Sequence, residues 1–389
     1  MNICFLHTVA IDPQKGGIEK VTKILADAFV ASGNTVLYLS MMDVFRETCD
    51  QTRQSFFPNS KRVCSSENET FLRNFLRERK IELVVFQAGD DKRVPFPWIF
   101  KEFGVRLIVA IHTDPEFYKA LVRSKFVIKY GEKIANVFPW ILALKIFWHR
   151  RKQIKIYRGN AAVADRIVLL SQKFVPFYSS YIRAEDCKKI TFISNPAVGI
   201  ENPPTFEEKR KEILYVGRMS IGEKRIDLLL KIWAKLEKVF PQWSLCLVGA
   251  GGDFEKLKKM AGVLNLTRVS FEGFQNPEMY YRRASIFCLT SAFEGFGLAM
   301  VEAASAGCVP VAFNSYASAE EIINSGENGF LVPAFDLEKY VETLAQLMKD
   351  NVLRERLANA ARENAKRFEI DKIFEQWVAL FCKILNNLK

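Results

Sequence analysis

Short apolar runs alternate with helical-period segments along the whole chain, and the alternation stops and restarts once. Candidate strands at Ile3–His7, Thr35–Leu39, Leu83–Gln87, Arg106–Ile111 and Arg166–Leu170 build the first half. After Asn195-Pro196 comes a polar stretch, Glu201–Lys211, containing Pro203-Pro204. Strands then resume at Ile213–Val216, Ser244–Val248, Val269–Glu272, Ile286–Leu289 and Val309–Ala312. Apolar runs too short for helices, each followed by amphipathic sequence, are the βαβ pattern of parallel sheets. The chain is therefore expected to form two doubly wound, Rossmann-like α/β domains, residues 1–200 and 201–369. A last helix, 370–389, carries Ile373, Phe374, Trp377, Leu380, Phe381 and Ile384 at helical spacing. It packs either on its own domain or back on the first. No period of a solenoid repeats.

A chain of 389 residues has the length for two cores, and 49% hydrophobic against 26% charged residues excludes disorder. The formal net charge of +12 asks for nucleic acid, an anionic membrane or phosphorylated small molecules as partner. Eight cysteines lie without a Cys-x-x-Cys pair and read as small thiols of a reducing compartment, while three histidines, His7, His112 and His149, offer little for zinc. The N-terminus reads as a core strand and not a signal peptide.

Two strand-to-helix junctions of the second half carry the strongest chemistry. Gly217-Arg218-Met219-Ser220-Ile221-Gly222-Glu223-Lys224 puts two cations where α/β folds bind ligands, and such a pair can neutralise a diphosphate. Taken alone, a solvated loop with two surface cations is the plainer account. The stretch Ser291–Glu302 joins another strand to a helix. Its Gly295, Phe296, Gly297 and Leu298 leave backbone amides at a helix start, and Glu294 and Glu302 lie two turns apart. One carboxylate can accept hydroxyls of a sugar and the other those of a ribose; a capping Glu294 and a salt-bridged Glu302 also satisfy the pattern.

Three further features are weaker. Gly249-Ala250-Gly251-Gly252-Asp253-Phe254 fails the dinucleotide fingerprint at its third glycine and reads as a tight turn. Gly16-Gly17 opens a helix and lets backbone approach a phosphate, or is an ordinary flexible loop. His112 ends a strand, where imidazole can bond a substrate or exchange a proton, or satisfy a loop.

Together, Gly217-Arg218 with Lys224, Glu294 through Glu302, and Gly16-Gly17 resemble the retaining family 4 glycosyltransferases of the GT-B fold. Ala306–Val311 and Glu321-Ile322-Ile323 through Gly326–Val332 look similar too. The resemblance implies two domains facing a central cleft, the first binding acceptor and the second a nucleotide-diphosphate sugar. It implies Arg218 and Lys224 on the diphosphate, Glu294 on the sugar, Glu302 on the ribose, amides of Gly297 and Leu298 on the donor, and Gly16 and Gly17 from the facing domain. His112 resembles the histidine near the reacting carbon, giving His112, Glu294, Arg218 and Lys224 as the catalytic group. The family retains anomeric configuration, commonly without metal or other cofactor. Ser315–Glu321 departs from its glycine-rich pattern ahead of the later glutamate. The implied activity is sugar transfer to a glycan or lipid-linked acceptor in polysaccharide or lipopolysaccharide assembly. A sugar-nucleotide epimerase or hydrolase, or a non-catalytic binding protein, is the alternative.

Between Glu116 and Arg158 eleven basic residues face only Glu116 and Glu132, interleaved with Phe126, Tyr130, Phe138, Trp140, Phe147 and Trp148. The segment 117–157, placed with the first domain, suits peripheral contact with an anionic membrane better than nucleic acid; a buried helix pair with solvated charges fits as well. Its apolar run falls short of the ~20 residues that cross a bilayer. The expected location is cytoplasmic, on the inner face of the cytoplasmic membrane if that contact exists.

Overall fold

The computed structural model describes residues 1–386, the side chains at 128, 132, 133 and 136 excepted. The chain divides into two units. Unit 1 comprises Met1–Pro115, Phe147–Pro196 and the chain from Ile370; unit 2 comprises Glu116–Ile146 and Ala197–Glu369.

Unit 1 holds a seven-stranded sheet of β1 (Asn2–His7), β2 (Thr35–Ser40), β3 (Gln54–Phe56), β4 (Leu83–Phe86), β5 (Arg106–Ile111), β6 (Arg166–Leu169) and β7 (Ile190–Phe192), in the order β3-β2-β1-β4-β5-β6-β7. Unit 2 holds a six-stranded sheet of β8 (Arg210–Val216), β9 (Ser244–Val248), β10 (Val269–Gly273), β11 (Ala284–Leu289), β12 (Val309–Asn314) and β13 (Phe330–Pro333), in the order β10-β9-β8-β11-β12-β13. Every pairing is parallel. Central strands such as Leu83–Phe86 and Ala284–Leu289 are buried at every residue, because helices cover both faces of such a sheet. Strand order reverses between β1 and β4 and between β8 and β11, so a crevice opens at each of those carboxyl edges.

The β3, β7 and β13 strands were not anticipated. All three are sheet edges of three or four residues, half-covered and lacking a long apolar run. The helix expected to open at Gly16-Gly17 begins at Gly17 and ends at Ala31. It buries Val21, Leu25 and Phe29 one turn apart.

The last helix, Ile370–Asn386, returns to unit 1, where Phe374 and Phe381 sit 4.8 and 4.9 Å, centroid to centroid, from Phe29. Residues 387–389, at its expected end, lie outside the described residues. Just before this helix, Ala197 N–H donates to the Phe368 carbonyl at 2.8 Å, joining the beginning and the end of the longer segment of unit 2.

Residues 116–146 group with unit 2, where the sequence had assigned them to the first domain. Phe117 contacts the Phe293 ring at 6.4 Å and Ser124 Oγ donates to the Gly222 carbonyl, contacts between residues far apart in sequence that no local pattern encodes. Among the described residues no helix is long and apolar enough to cross a membrane. All eight cysteines are free thiols; Cys4, Cys246, Cys288 and Cys308 are among the buried ones, and burial pushes Cys288 up to about 12 and Cys246 up to about 11.

Candidate functional site

In unit 2 the loops leaving β8 and β11 meet at the switch point of the sheet. Thr290 Oγ1 donates to the carbonyls of Lys224 and Arg225 at 3.2 and 3.0 Å, and Ala292 N–H donates to the Glu223 carbonyl at 2.8 Å. Arg225, left-handed at φ 50°, caps helix Ile226–Leu236 and turns the β8 loop back toward β11. The two motifs that the sequence holds 70 residues apart thus share one edge.

Lys224 is the centre of the cluster. Its Nζ lies 2.8 Å from Glu294 Oε2 and 3.1 Å from Glu223 Oε1. Burial alone would lower the pKa of this ammonium, but the two carboxylates more than reverse that, so it is held above the ordinary lysine value. Glu294 accepts a second hydrogen bond, from Ser291 Oγ at 2.6 Å. Arg218 reaches Glu223 at 3.2 Å and keeps 65% of its side chain exposed, against 14% for Lys224 and 11% for Glu294. The partly buried Glu223 carboxylate therefore holds two cations side by side, one enclosed and one exposed.

Gly297 adopts φ 97°, the left-handed conformation favouring glycine, at the start of helix Leu298–Ser305. The first backbone N–H groups of that helix have no partner within it, which suits an anion. Phe296 is buried and packs edge-on against Phe368 at 5.4 Å. Gly295 stands between Glu294 and this packed ring. Glu302, 6% exposed, accepts from Tyr281 Oη at 3.0 Å. Ser315, in the stretch that departs from the family pattern, donates from Oγ to the Ser291 carbonyl at 2.6 Å, and so braces the Glu294 loop.

The sequence reading missed three contributors. Glu223 bridges both cations but resembled a loop charge. Ser291 orients Glu294. The glycines after β9 make room for the cation loop: a Cβ on Gly249 would stand 1.9 Å from the Gly217 carbonyl oxygen, and one on Gly251 2.4 Å from that of Met219. The tight turn expected there exists for this close approach.

Unit 1 gathers a second set of polar residues at the ends of β1, β4 and β5. His112 Nε2 lies 2.5 Å from Gln87 Oε1, and the His112 backbone N–H donates to Asp90 Oδ2 at 2.9 Å. Burial, with His7 nearby, brings the His112 pKa down to about 3, so the ring is neutral. Burial raises Asp90 to about 6 against the hydrogen bonds from His112 and Thr113. Nδ1 of His112 is buried with no partner among the described residues. Gly16 is extended and Gly17 begins its helix; Glu19, bonded to His7 at 3.3 Å, folds over Gly16 so closely that a Cβ there would meet its Oε2 at 2.2 Å. Gly16, Gly17 and His112 thus belong to unit 1, while Arg218, Lys224, Glu294 and Glu302 lie in unit 2. Among the described residues no group of three or more His, Cys, Asp or Glu side chains is placed to hold a metal ion.

Two Rossmann-like parallel-sheet units, the second with cations and carboxylates converging on its switch point, define the GT-B class of fold. Residues 200–364 match the family model of glycosyl transferases group 1. The chain is 34% identical over 195 residues to an uncharacterized glycosyltransferase of Haemophilus influenzae, covering 48% of this chain and 55% of the relative. It is 30% identical over 199 residues to the poly(ribitol-phosphate) alpha-N-acetylglucosaminyltransferase of Staphylococcus aureus, covering 50% and 40%. The chain thus spans about half the length of these relatives or less. In fold it is similar to the Anabaena protein HepE, solved with UDP and glucose: TM-score 0.74 at 18% identity, over 98% of this chain and 100% of that one.

Proposed function

We propose that the protein is a retaining glycosyltransferase that moves a sugar from a nucleotide-diphosphate sugar to a hydroxyl of a glycan or lipid-linked acceptor in cell-surface polymer assembly. The observation that carries this reading is the cluster of Lys224, Arg218, Glu223 and Glu294 on loops at one switch point. Arg218 and Lys224 bind the diphosphate and take up the charge that grows on it as the glycosidic bond breaks, without a metal. Glu294 accepts from the sugar hydroxyls, Glu302 from the ribose, and the amides of Gly297 and Leu298 face phosphate oxygens. From unit 1, the Gly16 and Gly17 backbone approaches the donor. His112, neutral because it is buried, accepts a sugar hydroxyl at Nδ1.

In the transfer, the acceptor oxygen bonds to the anomeric carbon from the face the leaving group departs. The carbon–oxygen bond to the diphosphate breaks with its electron pair going to the phosphate, and the hydroxyl proton passes to a phosphate oxygen. The relatives' names support the broader reading of sugar transfer in cell-surface polymer assembly: the Staphylococcus aureus protein is a poly(ribitol-phosphate) alpha-N-acetylglucosaminyltransferase.

A thermal-shift screen of the whole chain against nucleotides and nucleotide sugars tests it, since a ligand of the folded state raises apparent stability with occupancy. A diphosphate sugar should raise Tm and the same compound should not do so in Lys224→Ala. Turnover without any acceptor would instead indicate an epimerase or hydrolase, and binding without turnover a non-catalytic protein.

A further inference from the structure

Helices Phe117–Tyr130, Glu132–Val137 and the beginning of Pro139–Val163 close on a small apolar cluster of Val122, Phe126, Ala135 and Leu142, with Ile141 and Ile146 packed against it. Only one face of the long helix is used in this way. On another face Trp140, Leu144 and Trp148 recur every four residues, and they are 64%, 52% and 61% exposed. Val137 and Phe138, just before the helix, are exposed as well. Scattered exposed apolar residues are ordinary, whereas a row of large ones on a helix marks a binding surface.

The charge beside the row has one sign. Lys145, Arg150, Arg151, Lys152 and Lys155 are all exposed, and the sequence has no acidic residue between Glu132 and Asp165. We propose that this face docks on the surface of an anionic lipid bilayer. Trp140, Leu144 and Trp148 enter the headgroup boundary, where indoles are at home, and the cations meet lipid phosphates. A second copy of the chain fits poorly, since like charges would be brought face to face. Single-stranded nucleic acid can use the exposed rings but leaves the aliphatic Val137 and Leu144 in water, whereas a headgroup boundary takes rings and aliphatic groups alike. Docking of this kind lies flat and needs no spanning helix, and it does not depend on the proposed sugar chemistry.

The test is co-sedimentation of the full chain with phosphatidylcholine vesicles and with vesicles containing phosphatidylglycerol. Recovery should be high only on the anionic vesicles and should fall as salt is raised. Replacing Lys145 and Lys152 with Ala should weaken binding by roughly fivefold per cation. Trp140→Ala with Trp148→Ala should weaken it by about tenfold or more. Both changes lie on exposed positions, and circular dichroism would verify that the fold survives. Equal recovery on the two vesicle types, or binding unaltered in both variants, would overturn the proposal. So would sedimentation velocity showing a dimer that the tryptophan variant dissolves, because the face would then belong to a second copy.

Discussion

Lys224 sets its ammonium 2.8 Å from the Glu294 carboxylate, across two loops that the sequence separates by 70 residues. Both side chains are mostly buried, so neither charge can be deleted without leaving the other short of a partner. Lys224→Met should cost about 3–5 kcal/mol of folding stability. A Lys224→Met, Glu294→Leu double variant should regain much of that loss, because the uncompensated charge goes with its partner. Urea denaturation of the two variants and the parent gives the coupling. A double variant no more stable than Lys224→Met would show that the pair adds little to the fold.

If that cluster is the donor site, removing the cation should act on binding and on reaction together. Glu294→Gln keeps the shape and loses the charge. Turnover should fall about 100-fold or more in Lys224→Met, as when a charge-stabilising donor is lost elsewhere, and substantially in Glu294→Gln. Far-UV circular dichroism should be unaltered in both. Near-parent turnover in both variants would remove them from the site.

Unit 1 makes an opposite pair of titrations available. His112 is held down to about 3 by burial and His7, so the unfolded chain takes up its proton near 6.5 and the folded one does not. The stability from a neutral His112 is therefore whole above about pH 6.5 and drains away as pH falls toward 3. Asp90, raised to about 6 by burial, works the other way: its contribution is greatest below about pH 4 and is lost as pH rises through 6. His112→Gln should flatten the loss of urea resistance between pH 6.5 and 4, and Asp90→Asn should steepen it. Slopes that do not diverge in these directions would show that other groups govern the acid limb.

Both sheets, their approximate strands and the cation and carboxylate motifs were legible because buried parallel strands are continuous apolar runs and because loop residues such as Arg218 and Glu294 stand directly after them. The edge strands β3, β7 and β13 lacked that signal. Glu223 and Ser291 were invisible for a different reason: their importance is a geometric relation to Lys224 and Glu294, and one glutamate in a charged loop looks like any other. The attachment of Phe117–Ile146 to unit 2 rests on tertiary contacts such as Phe117 with Phe293, which leave no local trace.

The glycines after β9 illustrate the same limit and can be tested directly. Gly249 has φ 136°, and the carbonyl oxygen of Gly217 occupies the place a Cβ would need. Gly249→Ala must therefore push the Arg218 loop away or strain the backbone, at about 2 kcal/mol or more. Gly252 meets nothing within 4 Å, so Gly252→Ala should leave stability within about 0.5 kcal/mol of the parent. Thermal unfolding distinguishes the two. Equal effects would mean that the approach of the two loops is not what these glycines serve.

Phe29 is fully buried between Phe374 and Phe381, in an edge-on contact with the first and a stacked one with the second. The chain leaves unit 1 for Glu116–Ile146 and again after Pro196, and comes back to complete unit 1 with its last helix. Phe29→Ala should cost about 3–5 kcal/mol through the cavity it leaves in that contact. Ending the chain at Glu369 should expose the same apolar face of helix Gly17–Ala31 while leaving the sheet of unit 2 intact. Hydrogen exchange on the truncated chain is the measurement that separates the units: amides of β1 and β2 should lose protection, and those of β8 and β11 should keep it. Protection lost first in β8 and β11 would assign the last helix to unit 2 instead.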